Sequence, residues 1–123
     1  MLSAPVSGWA TPSDDLAAGI DALLKDAGRT PDDQRLRRLF QLQWNYALQE
    51  FPEWATYVGV SGQNGRWTDN SIAAIARRKA NLDLPAKALA SIDRAKLTPA
   101  DRLNFDLFQR AIQDRRADRR FPW

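Results

Sequence analysis

Thr30-Pro31-Asp32-Asp33 and Thr98-Pro99-Ala100-Asp101 each set a threonine before proline and, three residues on, an aspartate. Each reads as a helix start, with a hydroxyl to accept from an open amide, a proline where no amide hydrogen is needed, and acid near the positive end of the helix dipole. After the first, Leu36, Phe40, Trp44, Ala47 and Phe51 recur at helical spacing, and Leu39, Tyr46 and Leu48 widen the stripe. Trp44 and Tyr46 at this spacing are expected in the core rather than on a ligand-stacking platform. After the second, Leu103, Leu107 and Ala111 align, with Phe105, Phe108 and Ile112 beside them. That helix is expected to stop before Phe121-Pro122-Trp123, because a residue preceding proline avoids helical angles.

The remaining segments read the same way. A first helix is expected to be capped by Ser13 or Asp14, to present Leu16, Ile20, Leu23 and Leu24 on one face, and to close at Gly28. Pro52 either ends the long aromatic helix or starts a short turn through Val58. A loop from Gly59 to Asn70 follows, with Trp67 expected to anchor it to the helices. Its glycines match neither a dinucleotide fingerprint, which follows a strand, nor a nucleophile elbow. Asp69, Asn70 and Ser71 can cap a third helix with Ile72, Ile75, Ala76 and Leu82 inward and Arg77, Arg78 and Lys79 outward. Pro85 is expected to kink or break it before Ala86 to Ile92 resumes. No stretch alternates long enough for a strand. The expected fold is all-α, an antiparallel helical bundle or array of about four to five helices with one Gly-rich loop.

What the sequence lacks bounds its chemistry. It contains no histidine and no cysteine, so Ser-His-Asp and Cys-His catalysis have no base, and a zinc site would have to rest on carboxylates alone. No catalytic, cofactor-binding or metal-binding residue is nominated. No apolar run approaches the roughly 20 residues of a membrane span. The charge is uneven: six aspartates face only Lys25 and Arg29 up to Gln34, whereas Arg110, Arg115, Arg116, Arg119 and Arg120 crowd the end. Acids interleave with these arginines, which favours a solvated helix face over a nucleic-acid surface.

Residues 1–12 are expected to form a flexible tail and residues 13–123 the helical segment. Gly8-Trp9-Ala10 has the small residues of a signal-peptidase site. If Met1 is an internal start, Leu2 to Ala10 is the tail of a leader and the protein is periplasmic or secreted. If Met1 is the true start, the protein is cytoplasmic and these residues are an ordinary terminus.

The order of short motifs carries a resemblance. Phe51-Pro52-Glu53-Trp54-Ala55-Thr56-Tyr57-Val58-Gly59 precedes Gly62-Gln63-Asn64-Gly65-Arg66-Trp67-Thr68-Asp69-Asn70-Ser71, then Ser91-Ile92-Asp93, then Leu97-Thr98-Pro99-Ala100-Asp101-Arg102-Leu103-Asn104-Phe105-Asp106-Leu107-Phe108. From Gln34 to Trp123 the chain resembles the N-terminal region of a bacterial family known as domain of unknown function 885. The resemblance implies a longer, mostly helical, often exported parent, regarded as a metallopeptidase, with zinc at a C-terminal His-Glu motif absent from this sequence. It thus implies a non-catalytic fragment whose partner is the C-terminal part of its own parent, and whose exposed apolar surface promotes self-association. The alternative is a self-contained helical module that binds a protein partner or nucleic acid.

Overall fold

Thr11 opens the first helix. Its Oγ1 accepts the Asp14 N–H at 3.1 Å, and the Asp14 carboxylate accepts the Thr11 N–H at 3.2 Å, a reciprocal capping box in which Pro12 sits where no amide bond is lost. The computed structural model describes residues 11–59 and 67–120. The Gly8-Trp9-Ala10 motif, most of the Gly-rich loop and Phe121-Pro122-Trp123 lie outside these. The described residues form α1 (Pro12–Lys25), α2 (Asp32–Glu50), α3 (Pro52–Tyr57), α4 (Ile72–Asn81), α5 (Asp83–Ala90), a 3-10 turn (Arg94–Lys96) and α6 (Pro99–Asp118). No strand occurs among them, and the fold is an all-α array. None of their helices is long and apolar enough to cross a membrane.

The prolines set the boundaries. In an unbroken helix Pro85 would lack the hydrogen bond to the Asn81 carbonyl and collide with it. The helix indeed ends at Asn81, turns at Leu82 and restarts at Asp83, so Pro85 falls in the first turn of α5. α4 and α5 are therefore two halves of the one broken helix expected. Pro52 is likewise the first residue of α3, and Phe51 before it leaves the helical region with φ −121° and ψ 72°.

Contacts fix the direction of each helix. Arg35 near the start of α2 reaches Leu23 at the end of α1, and Leu42 packs against Gly19, so α1 and α2 are antiparallel. Asn81 meets Tyr46 while Ser91 meets Arg35, which sets α4 and α5 antiparallel to α2. Asp83 pairs with Arg119 and Arg94 with Asp106, which turns α6 back along α5. The core holds Leu16, Ile20 and Leu23 of α1, Leu36 and Leu39 of α2, Ala88 and Leu89 of α5, with Ile92, Leu97 and Phe105. Fully burying such a side chain is worth roughly 1.5–3 kcal/mol.

Several expectations are corrected. Thr11, not Ser13 or Asp14, caps α1, and Ser13 is buried as an acceptor for Arg77 and Asn81. Thr30 caps nothing: Pro31 is the N-cap of α2 and no side chain bonds there. Asp32 and Asp33 do lie in the first turn of α2 as expected, and Asp32 also accepts the Asp93 N–H at 2.8 Å. Thr98 does cap α6, accepting the Asp101 N–H at 3.2 Å, while the Asp101 carboxylate meets Arg37. Gly28 takes the expected left-handed conformation, φ +80°, but in the turn beyond α1, whose C-cap is Asp26. On α6 the buried pair is Phe105 and Ile112, whereas Leu103 and Leu107 are each 60% exposed. On α4 it is Ala74 that is buried, while Ile72 faces solvent. Trp67 does not anchor the loop, being 82% exposed.

Candidate functional site

The second halves of α2 and α6 flank a cleft. The two helices touch through Phe40 and Phe108, whose ring centroids are 5.1 Å apart. Beyond that contact opens a cavity of about 870 Å³, lined by both helices, α3 and the α4–α5 break. This is within the usual size of small-molecule pockets, roughly 300–1,000 Å³. Six rings line it: Phe40, Trp44, Tyr46, Phe51, Trp54 and Phe108. Trp44 and Trp54 meet edge to face at 5.2 Å, the favoured arrangement of aromatic quadrupoles. Both remain partly open to solvent, Trp44 at 45%. The helical stripe correctly placed Trp44 beside Phe40 and Ala47, but α6 does not close over it, so Trp44 is a cleft wall and not core.

A polar cluster holds the α2–α3 corner against α4. The Glu50 side chain is 4% exposed and its Oε1 accepts from Arg77 Nη2 at 3.0 Å and Arg78 Nε at 2.8 Å. Arg78 was expected to point outward. The buried carboxylate draws it in, where its guanidinium also lies 5.1 Å from the Phe51 ring centroid and donates to the Asp69 carbonyl. Asn81 donates to Tyr46 Oη at 3.1 Å and Ser13 Oγ at 2.8 Å. Burial raises the Tyr46 phenol above its ordinary value, opposed by the Asn81 hydrogen bond. Glu53, on the cleft rim, accepts the N–H and hydroxyl of Thr68, both at 3.0 Å.

These residues do not fit a zinc centre. The chain supplies no imidazole or thiolate, its buried carboxylate is taken by two arginines, and no cluster of three or more ligating side chains occurs among the described residues. Three arginines in the second half of α6 and just beyond it are ion-paired. Arg110 meets Asp114 at 3.2 Å, and Arg116 and Arg119 share Asp83 at 3.2 and 2.8 Å, which holds the Asp83 carboxyl below its ordinary range.

Of the site's residues, the sequence brought out the aromatic stripe, but gave no sign that Gln43, Glu50, Arg78 and Asn81 would gather around it. Glu50 ends a helix and Arg78 lies in a run of cations, so neither stands out without the break that brings α4 across α2. No curated protein and no solved structure matches the chain. The family described as "Bacterial protein of unknown function (DUF885)" matches residues 52–122, from the first residue of α3 to beyond the end of α6. That match takes in more than half of the sequence, starting later than the resemblance read from Gln34, and the chain belongs to this family.

Proposed function

We propose that this chain is the non-catalytic N-terminal helical segment of a longer zinc-metallopeptidase-like protein, and that its aromatic cleft is part of the wall along which a peptide lies. The cleft carries the reading: six rings around about 870 Å³, with two tryptophans open to solvent, form the kind of exposed apolar surface that marks a binding face. Leu103 and Leu107, one turn apart on the outside of α6, supply a second apolar surface for the rest of the parent protein. Metal and proton transfer would come from elsewhere in that protein, since this chain has no histidine or cysteine. The pairing of the α6 arginines with Asp83 and Asp114 favours a polypeptide over a nucleic acid.

The test is a titration of the chain with short apolar peptides blocked at both ends, followed by the indole resonances of Trp44 and Trp54, beside a peptidase assay with and without zinc. Shifts confined to the cleft, abolished in Trp44→Ala, and no hydrolysis are expected. Zinc-dependent turnover that stays with the protein through repurification, or indoles unmoved by any peptide, would overturn the reading.

A further inference from the structure

Two polar groups on the cleft lining, Gln43 Nε2 and the Arg115 guanidinium, have no partner among the described residues. Gln43 lines it from α2, and its Nε2 is shielded from solvent without a hydrogen-bond acceptor among the described residues. A buried donor left unmade is costly, so nearly all are paired in native structures. Arg115 lines it from α6. Unlike Arg110, Arg116 and Arg119, it makes no ion pair among the described residues. The other charged groups on the lining are engaged: Arg78 by Glu50, and Glu53 by Thr68. The cleft thus offers one uncommitted cation and one uncommitted amide donor beside an aromatic body.

We propose that the cleft binds an apolar organic acid. The rings of Trp44, Trp54, Phe40 and Phe108 hold the apolar body, the Arg115 guanidinium holds the carboxylate, and Gln43 donates its side-chain N–H to a ligand oxygen. A single uncommitted guanidinium matches a monoanion, and its planar fork matches a carboxylate. An aryl or alkyl acid fits better than a phosphate, which would bring a second charge into a mainly apolar cleft with no second free cation on its lining. The inference does not depend on the metallopeptidase reading, and blocked peptides can fail to bind while the acid binds.

The experiment is calorimetry on the full chain with 1-naphthaleneacetate and its neutral isostere 1-naphthaleneacetamide, with NMR of the Gln43 side-chain amide and the Arg115 Nε–H. The acid is expected to bind about tenfold more tightly than the amide, as a charge-assisted contact provides, and to shift both signals. Arg115→Gln should bring the acid to the affinity of the amide. Arg110→Gln, the same charge change on a residue paired with Asp114 and outside the cleft, should leave binding unchanged. The tripeptide Ala-Ala-Phe, free or amidated at its end, identifies the source: a free form tighter than 1-naphthaleneacetate makes the acid a chain terminus, a weaker one makes it a small organic acid. Equal affinity for acid and amide, an Arg115→Gln variant that binds as before, or no binding would overturn the proposal.

Discussion

Arg35 holds the carbonyl oxygen of Leu23 with two N–H groups, Nε at 3.1 Å and Nη2 at 3.0 Å. The same guanidinium donates to the Ser91 carbonyl at 3.1 Å and the Ser91 hydroxyl at 2.7 Å. One side chain, 1% exposed, therefore joins the start of α2 to the ends of α1 and α5. Helix ends leave carbonyls unsatisfied, and a fork with five donors can serve several of them at once. Asp32, 3.4 Å away, supplies the countercharge.

Replacing Arg35 by Met keeps much of the packing but strands these acceptors and the Asp32 carboxylate. The expected loss is roughly 3–5 kcal/mol, the usual result of removing one partner of a buried charged cluster. Arg35→Lys should lose a large part of this, since an ammonium cannot form the fork. Urea unfolding followed by circular dichroism measures both. A midpoint unchanged in Arg35→Met would refute the assignment.

The three threonine sites separate cleanly. Thr11→Ala and Thr98→Ala each remove a side-chain cap and should cost about 1 kcal/mol. Thr30→Ala removes none and should leave the unfolding midpoint where it was.

That contrast shows how far the sequence could be read. Thr11-Pro12-Ser13-Asp14 has the same pattern as the two starts identified from sequence, yet Pro5, Gly8 and Pro12 among small residues place Thr11 in the tail and move the expected cap to Ser13 or Asp14. Thr30 has the pattern, but the chain enters α2 one residue later, with Pro31 as the cap and no side-chain bond there. The Thr98 cap was legible even though the Asp101 carboxylate meets Arg37 from a distant helix. The break at Asn81 was legible because a proline acts on its own backbone. The cleft was not, because its opening depends on where α6 stops covering α2, and its polar residues come from helices far apart in sequence.

Tyr46 gives a pH-dependent test. Burial, and to a lesser degree the nearby Glu50 charge, raise its phenol above the ordinary value of 10.0, against the lowering bond from Asn81. The fold thus favours the neutral phenol, and the resulting stability is complete below pH 10 and lost as pH rises through the raised value. In Tyr57→Phe, Tyr46 is the only tyrosine left. Tyrosinate absorbance should then appear above pH 10 and come down to the ordinary value on unfolding in urea. Titration at the same pH with and without urea would contradict the burial of Tyr46.

Leu103 and Leu107 test whether the outside of α6 is a packing surface. Both are 60% exposed and one turn apart on a single face, while the core-facing residues Phe105 and Ile112 are on another. The isolated chain should bind a hydrophobic dye and self-associate as its concentration rises, since apolar area left in water is worth about 25 cal/mol per Å² when covered. Leu103→Lys with Leu107→Lys should make the chain monomeric by sedimentation and cut dye binding. Because neither side chain belongs to the core, the unfolding midpoint of the dilute protein should stay within roughly 0.5 kcal/mol of the parent's. A chain that sediments as a monomer at every concentration and binds no dye would show that this face is ordinary surface. A double variant that still self-associates would move the contact to the cleft, where Trp44→Ala is the next substitution to examine.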